Sequence, residues 1–217
     1  MKNLWKLLSL VLVLGLGFAS CSDDDDDESP NFVKIGEKTY ALNGGLLEDY
    51  GNIGEEGIFN LDLVLHSSGI RYNSEMEEYY GKGNYVGFEL YTGTEGDLDA
   101  GEYTSGSWFE PKTMVCVSSF YALNIDLETA EEFYEAWDND EVDIEDRPWI
   151  EGEMYGTLSL EKEGDKYIIE FAGLTEEEEV VVIHYEGKLS YFDFSDDGFY
   201  EASADRASGF SFKSLEK

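Results

Sequence analysis

Cysteine, histidine and proline are scarce in this chain, and each shortage excludes a class of structure or site. Its 217 residues include two cysteines, two histidines and three prolines. Two cysteines cannot build a disulfide framework, and His66 and His184 have no second histidine or cysteine at the spacing of transition-metal ligands. Cys116 lies in an apolar stretch, which predicts a small buried residue rather than a nucleophile. We therefore expect no transition-metal centre and no cofactor.

Basic residues are also few. The sequence has 14 lysines and arginines against 49 acidic residues, a formal net charge of −35 at pH 7. Nucleic acids and anionic lipid head groups recruit basic patches, so a polyanion of this strength is repelled by both. We expect no nucleic-acid partner.

Motifs of catalysis are missing as well. The chain has no Gly-x-Ser-x-Gly elbow, and residues 81–87 lack both the glycine spacing and the preceding strand of a dinucleotide loop. A glycosidase needs two carboxylates at a fixed separation, and among 49 acidic residues no pair can be selected or excluded. No catalytic residue is assigned, and a non-enzyme is favoured.

An apolar run long enough to cross a membrane as a helix, roughly 20 residues, does not occur. The longest apolar run, residues 7–18, is shorter and follows a positive segment that contains Lys2 and Lys6. This order is typical of a secretory signal peptide, which we assign to residues 1–20.

A cysteine and an acidic run follow the signal peptide. Phe18-Ala19-Ser20-Cys21 places small residues before the cysteine, and residues 23–28 are all acidic. The first motif resembles the lipobox of bacterial lipoproteins, and the whole leader, residues 1–28, resembles that of Bacteroidetes-type surface-exposed lipoproteins. The resemblance implies that Cys21 carries a lipid anchor in the outer membrane and that the protein faces outward at the cell surface. The alternative is an ordinary signal peptide with Cys21 as a free thiol.

The rest of the chain is predicted to hold one linker and one domain. Residues 21–31 contain the acidic run, which repels itself and stays extended, so we assign them as a lipidated linker. Residues 32–217 have the length of a single domain with a sizeable core, and their short alternating segments indicate β-strands.

Several of these segments predict specific strands and turns. Gly36-Glu37 and Gly164-Asp165 suit hairpin turns. Residues 59–66 alternate like a half-buried strand, and residues 114–121 are apolar on both faces, like a central strand. The other predicted strands are residues 85–91, 101–104, 154–160, 167–171 and 209–215, with odd residues from Val181 to Tyr191 facing the core and a last hairpin around residues 195–198.

One helix is predicted within these strands. Thr129 and Glu132 have the spacing of a capping box, and Ala130, Phe133 and Trp137 lie on one helical stripe. With about nine strands and one short inserted helix, the predicted fold is an all-β antiparallel sandwich or barrel, of which a lipocalin- or calycin-like barrel is one form.

Three tryptophans are candidate ligand-binding residues. Trp108 and Trp149 lie in predicted loops and Trp137 on the predicted helix, where exposed aromatic rings could stack on sugars. The alternative for each is packing against the domain. The acidic loop 138–146 has oxygen ligands at alternate positions, but Val142 stands where an EF-hand needs an oxygen, so a solvated loop is favoured over a calcium site.

Together these patterns predict a cell-surface lipoprotein with a non-catalytic binding or structural β domain, whose partner is an extracellular glycan or protein. The alternatives are an extracellular hydrolase that acts on a polymer, and an adhesin or assembly subunit that uses an exposed strand edge.

Overall fold

The computed structural model of the protein describes residues 30–53, 57–74, 78–106, 115–139 and 141–195. Within these ranges the strands are Phe32–Ile35 (β1), Lys38–Ala41 (β2), Gly44–Asn52 (β3), Phe59–His66 (β4), Ile70–Asn73 (β5), Glu78–Thr92 (β6), Gly101–Ser105 (β7), Val115–Asp126 (β8), Ile150–Glu163 (β9), Lys166–Thr175 (β10), Val180–Gly187 (β11) and Ser190–Asp193 (β12). A helix, Leu127–Asp138 (α1), and a short 3₁₀ turn, Ile144–Asp146, connect β8 to β9.

The strands form one sheet in the order β12-β3-β4-β6-β8-β7-β9-β10-β11-β1-β2, and β5 pairs with β6 beside this path. Most pairs are antiparallel, but β12–β3 and β7–β8 are parallel, which the sequence did not predict. The predicted all-β fold with one short helix is confirmed. The expected count of about nine strands was too low.

The sheet curls around one apolar core on its inner face. Phe88 on β6 and Phe171 on β10 lie on different halves of the sheet, yet their ring centroids are 5.4 Å apart. Near β3, a Cβ atom at Gly45 would lie 2.5 Å from Cδ2 of Leu189, which follows β11. Glycine is therefore required at residue 45 for β3 and the chain after β11 to approach each other.

The outer face differs between the two halves of the sheet. On β3, β4, β6 and β8 it is covered by β5 and α1, together with the Phe192 side chain of the neighbouring β12, and these bury a second apolar cluster that includes Val64, Tyr85 and Trp149. On β9, β10, β11, β1 and β2 it carries exposed side chains. We call this second surface the open outer face.

The two hairpins predicted from Gly36-Glu37 and Gly164-Asp165 are confirmed. β1 and β2 pair across Gly36-Glu37, and β9 and β10 pair across Gly164-Asp165, with Lys166 opposite Glu163. Gly36 and Gly164 have φ values of +57° and +69°, a backbone conformation that glycine adopts without steric cost. The alternation of β9 and β10 is also as predicted, since Met154, Leu158, Ile169 and Phe171 are buried.

The start of the helix was wrongly predicted. The helix begins at Leu127, and its N-cap residue, Asp126, makes no side-chain capping hydrogen bond. Thr129 lies in the first turn and donates its hydroxyl to the Asp126 carbonyl at 3.0 Å, so the capping box does not form. The apolar stripe does pack inward: Ala130 is buried and the Phe133 ring contacts the Trp149 ring.

Strands β3, β4 and β6 also depart from the prediction. β3, which begins at Gly44, was not among the predicted strands. β6 begins at Glu78 rather than at residue 85, because glycines 81 and 83 let β5 pair closely with it. β4 is not half-buried. Asn60 and Asp62, expected to face water, are 6% and 3% exposed because residues distant in sequence cover that face.

The end of the described chain differs as well. Val181, Ile183 and Tyr185 face the core as predicted, but Tyr191 is 47% exposed, since the chain leaves β11 and β12 pairs in parallel with β3. The predicted last hairpin and the strand at 209–215 lie largely or wholly within residues 196–217, outside the described residues.

Candidate functional site

The predicted tryptophan platform is not formed by Trp149. This side chain is 4% exposed, and its ring packs edge-on against Phe133 and Tyr134, with centroids 5.2 and 5.6 Å apart. Its indole Nε1–H donates a hydrogen bond of 2.6 Å to Glu151. Trp149 therefore packs against the domain, which was the alternative to ligand binding. Trp137 is half-buried in the last turn of α1, and Trp108 lies outside the described residues.

Glu151 on β9 connects the helix to the sheet. Its two carboxylate oxygens each lie 2.6 Å from the Tyr134 hydroxyl, and Nη1 of Arg147 is 3.7 Å from Oε1. Burial, together with the neighbouring Glu151 carboxylate, raises the pKa of Tyr134, which therefore stays protonated as a donor. These contacts hold α1 against β9.

The acidic loop 138–146 lies at the surface. Its Asp143 caps the 3₁₀ turn by accepting a hydrogen bond of 3.1 Å from the Glu145 amide, and Asp140 is outside the described residues. Among the residues that the structure describes, no three histidine, cysteine or acidic side chains come together in a way that could hold a metal ion. Calcium binding by the loop stays an untested alternative.

The open outer face begins with an apolar row at one end of β9, β10 and β11. Tyr155 is the register partner of Leu174, which is the partner of Val180. The three residues are 50%, 44% and 53% exposed. Side chains that are directly opposite in neighbouring strands have Cβ atoms about 5 Å apart, so these residues form a continuous exposed strip.

The next two rows of this face have balanced formal charges, with one basic residue, Lys34, and one acidic residue, Glu170. They are Thr157–Ala172–Val182–Lys34–Thr39 and Ser159–Glu170–His184–Phe32–Ala41, each crossing β9, β10, β11, β1 and β2. Glu170 is the one acidic residue of these two rows, and its carboxylate lies 3.6 Å from Nδ1 of His184. On a chain with 49 acidic residues, these two rows are a surface of low net charge.

Acidic groups lie on the face as well as around it, because Glu170 lies within the two rows and Glu161 and Glu186 lie on either side of Ile168 in the following row. Residues 176–179, four glutamates in the turn between β10 and β11, adjoin the apolar row. Tyr155 donates its hydroxyl to Glu153, and this hydrogen bond raises the pKa of Tyr155 to about 12. The phenol thus stays neutral at physiological pH, and its ring presents an apolar surface beside hydroxyl groups, an arrangement that can stack on a sugar ring.

Three acidic side chains lie side by side on the covered half of the sheet. Glu48 on β3 lies opposite Asp62 on β4, and Asp62 lies opposite Glu89 on β6. We call these three residues the acidic row. Glu48 is 1% exposed and Glu89 is half-buried, and burial raises the pKa of both carboxyls.

The sequence analysis singled out none of the residues of the apolar row or the acidic row as a site. Tyr155 and Leu174 could have been found from the sequence, because they are large apolar residues at outward positions of the predicted hairpin. The acidic row could not, since its members fit ordinary solvent-facing positions of their strands.

Comparison with known proteins finds no relative of this chain. No protein-family model, curated protein sequence or solved structure matches the chain. Within the described residues, no helix has the length and apolarity needed to span a membrane. The functional argument therefore rests on the residues of this chain.

Proposed function

We propose that this chain is an outer-membrane lipoprotein, anchored through Cys21 and displayed at the cell surface, whose β domain is a non-catalytic module that binds a neutral extracellular glycan. The observation that carries the binding assignment is the open outer face, where exposed Tyr155, Leu174 and Val180 lie beside two rows of low net charge. The assignment of a lipid anchor at Cys21 rests on the leader, residues 1–28.

The position of the first strand supports this arrangement. β1 begins at Phe32, directly after the acidic linker of residues 21–31. A charged, solvated linker holds a domain away from the membrane to which its first residue is fixed. The outer face of β1 belongs to the open outer face, so the binding surface starts where the linker ends.

The charge of the chain favours a neutral ligand. With a formal charge of −35, the protein repels polyanions over about 8 Å at physiological ionic strength. An uncharged polysaccharide avoids this repulsion, because a sugar ring offers C–H groups to an aromatic ring and hydroxyls to threonine and serine side chains. Tyr155, Thr157 and Ser159 present these groups from alternate positions of β9.

The hydrolase alternative has less support. The acidic residues that lie side by side in the acidic row are covered by β5 and by Phe192 of β12, where Tyr72 packs against the Tyr79 and Phe192 rings. Glu48 and Asp62 of this row are 1% and 3% exposed, so a polymer chain does not reach these two carboxylates. The assembly alternative also has less support, because the edge strands β2 and β12 have four residues each, and short edges discourage strand addition.

A glycan array tests the binding assignment. The mature domain without residues 1–28 should bind neutral polysaccharides, and Tyr155→Ala should weaken binding about tenfold, which corresponds to one stacking contact of about 1.4 kcal/mol. Tyr80→Ala is the matched control, because Tyr80 is similarly exposed, at 43%, on β6. Equal loss in both variants, or release of reducing sugar ends by the native protein, would contradict the proposal.

Fatty-acid labelling tests the anchor. The native protein should incorporate the label, and Cys21→Ala should not, because the thiol is the acceptor in the proposed lipidation. Cys116→Ala is the control, since its buried thiol is the chain's other cysteine. Label retained by Cys21→Ala would refute the anchor assignment.

A further inference from the structure

The open outer face carries a second aromatic site away from Tyr155. Phe32 begins β1 and lies opposite His184 on β11, and the centroids of their two rings are 6.1 Å apart at an interplanar angle of 33°. Both side chains are half-buried. Val33 and Ile183, the neighbouring residues on the same two strands, are fully buried, so Phe32 and His184 point to the outer face. The pair therefore presents ring surface on the same face as Tyr155.

The distance between the two aromatic sites exceeds the size of one sugar ring. Tyr155 is four residues along β9 from Ser159, which lies in the row of Phe32, and β1 is three strands away from β9. At about 3.3 Å per residue and about 4.8 Å per strand, the diagonal from Tyr155 to Phe32 is about 20 Å long. A sugar ring is similar in size to a phenol ring, so one sugar covers one site only.

The path between the two sites is formed by short side chains and is flanked by one group of each charge. Ala172 on β10 and Val182 on β11 are register partners near its middle. Glu170 and Lys34 lie on opposite sides of the path, and both are exposed. A carboxylate accepts hydrogen bonds from hydroxyl groups, and an ammonium group donates to them. Sugars that lie along this path therefore find hydrogen-bonding partners of both kinds.

We propose that the ligand of the open outer face is a linear glycan chain of several sugar units, which crosses the sheet diagonally and stacks on Tyr155 at one end and on the Phe32–His184 pair at the other. This inference rests on the proposed function and adds the length and direction of its ligand. Once a chain is held at one site, its next units reach the other site at a high effective concentration. The face therefore selects long chains over short fragments.

Oligosaccharides of increasing length test this selection. The ligands are the neutral polysaccharide chosen on the glycan array and its fragments from the disaccharide upward. Binding to the full chain, purified from membranes, is measured by calorimetry in a detergent without sugar head groups. The dissociation constant should fall by about tenfold or more as the ligand lengthens, and become constant once the ligand reaches from Tyr155 to Phe32.

Ring variants separate the two sites. Phe32→Ala and Tyr155→Ala should each weaken binding of the longest fragment about tenfold, the effect of one lost stacking contact. Neither should weaken binding of the disaccharide more than about twofold, because the other site still accepts it. Phe32→Tyr keeps the ring and should bind the longest fragment like the native protein, which distinguishes loss of stacking from loss of the fold.

Two results would overturn the extended ligand and leave the proposed function standing. One is equal affinity for the disaccharide and the longest fragment. The other is native affinity of Phe32→Ala for the longest fragment when Tyr155→Ala is weakened, which would assign a short ligand to Tyr155 alone. Absence of binding to every saccharide would overturn the extended ligand and the proposed function together.

Discussion

The contact between Phe88 and Phe171 gives a quantitative test of the curled sheet. The two rings are 1% and 2% exposed, and their centroids are 5.4 Å apart at an interplanar angle of 49°. Truncating either ring to alanine should cost about 3–5 kcal/mol, a large part of the roughly 5–15 kcal/mol that stabilises a typical domain. Leucine is the better substitution, because it keeps most of the apolar volume and should cost about 1.5 kcal/mol or less at each position.

A double-mutant cycle isolates the contribution of the ring pair. Urea unfolding of Phe88→Leu, Phe171→Leu and the double variant should give a coupling energy of about 0.5–1.5 kcal/mol, the range for aromatic pairs. Phe88→Leu combined with Phe32→Leu, which lies on the outer face of β1, is the control and should be additive within about 0.5 kcal/mol. Coupling no larger than this control would refute the packing of β6 against β10.

Three further predictions concern single features of the domain. Burial raises the pKa of the Cys116 thiol to about 12, so at pH 8 this thiol should react with a disulfide reagent only after denaturation, and rapid reaction of the folded protein would contradict its burial. Trp149→Phe removes the hydrogen bond to Glu151 and should lower the free energy of unfolding by about 1–3 kcal/mol, whereas Trp137→Phe should change it much less. The melting temperature should rise with sodium chloride from 0.01 M to 0.15 M, because the screening length falls from about 30 Å to about 8 Å, and calcium at matched ionic strength should add no saturable increment. One-to-one calcium binding that Asp138→Asn abolishes would instead assign the 138–146 loop to a metal site.

The elements whose contacts are local could be predicted from the sequence of the element itself. The β9–β10 hairpin depends on Gly164-Asp165 and on alternation that is visible within residues 154–171, so its turn and its buried face were predicted correctly. Helix α1 was predicted from its apolar stripe, although its first turn was not, because Thr129 bonds to the backbone of Asp126 instead of forming a capping box.

The rest depends on contacts between distant residues. Strand β3 was not predicted, and glycine is required at its residue 45 because Leu65 and Leu189 pack where a side chain would stand. β12 pairs with β3, and Tyr191 donates a hydrogen bond to Asp49, which is 142 residues away in sequence. No local pattern could predict that pairing.

In the candidate sites too, some positions follow from local sequence and others depend on contacts between distant residues. Tyr155 and Leu174 belong to one hairpin, and their outward positions follow from its register, but Val180 joins the row only through the β10–β11 pairing. Trp149 was placed in a loop as a candidate for ligand binding, yet the packing of α1 buries it against Phe133 and Tyr134. Burial of the acidic row similarly requires β5 and β12, whose positions the sequence did not indicate.

The proposal that the open outer face binds a neutral glycan can be tested most directly by hydrogen exchange. A neutral polysaccharide selected on the array is added to saturation, and amide exchange is compared with that of the free domain. The proposal predicts slower exchange in residues 155–159, 170–174 and 180–184, with no change around Tyr80 on β6. Protection confined to α1, β5 or β6, or no protection at saturating polysaccharide, would contradict it.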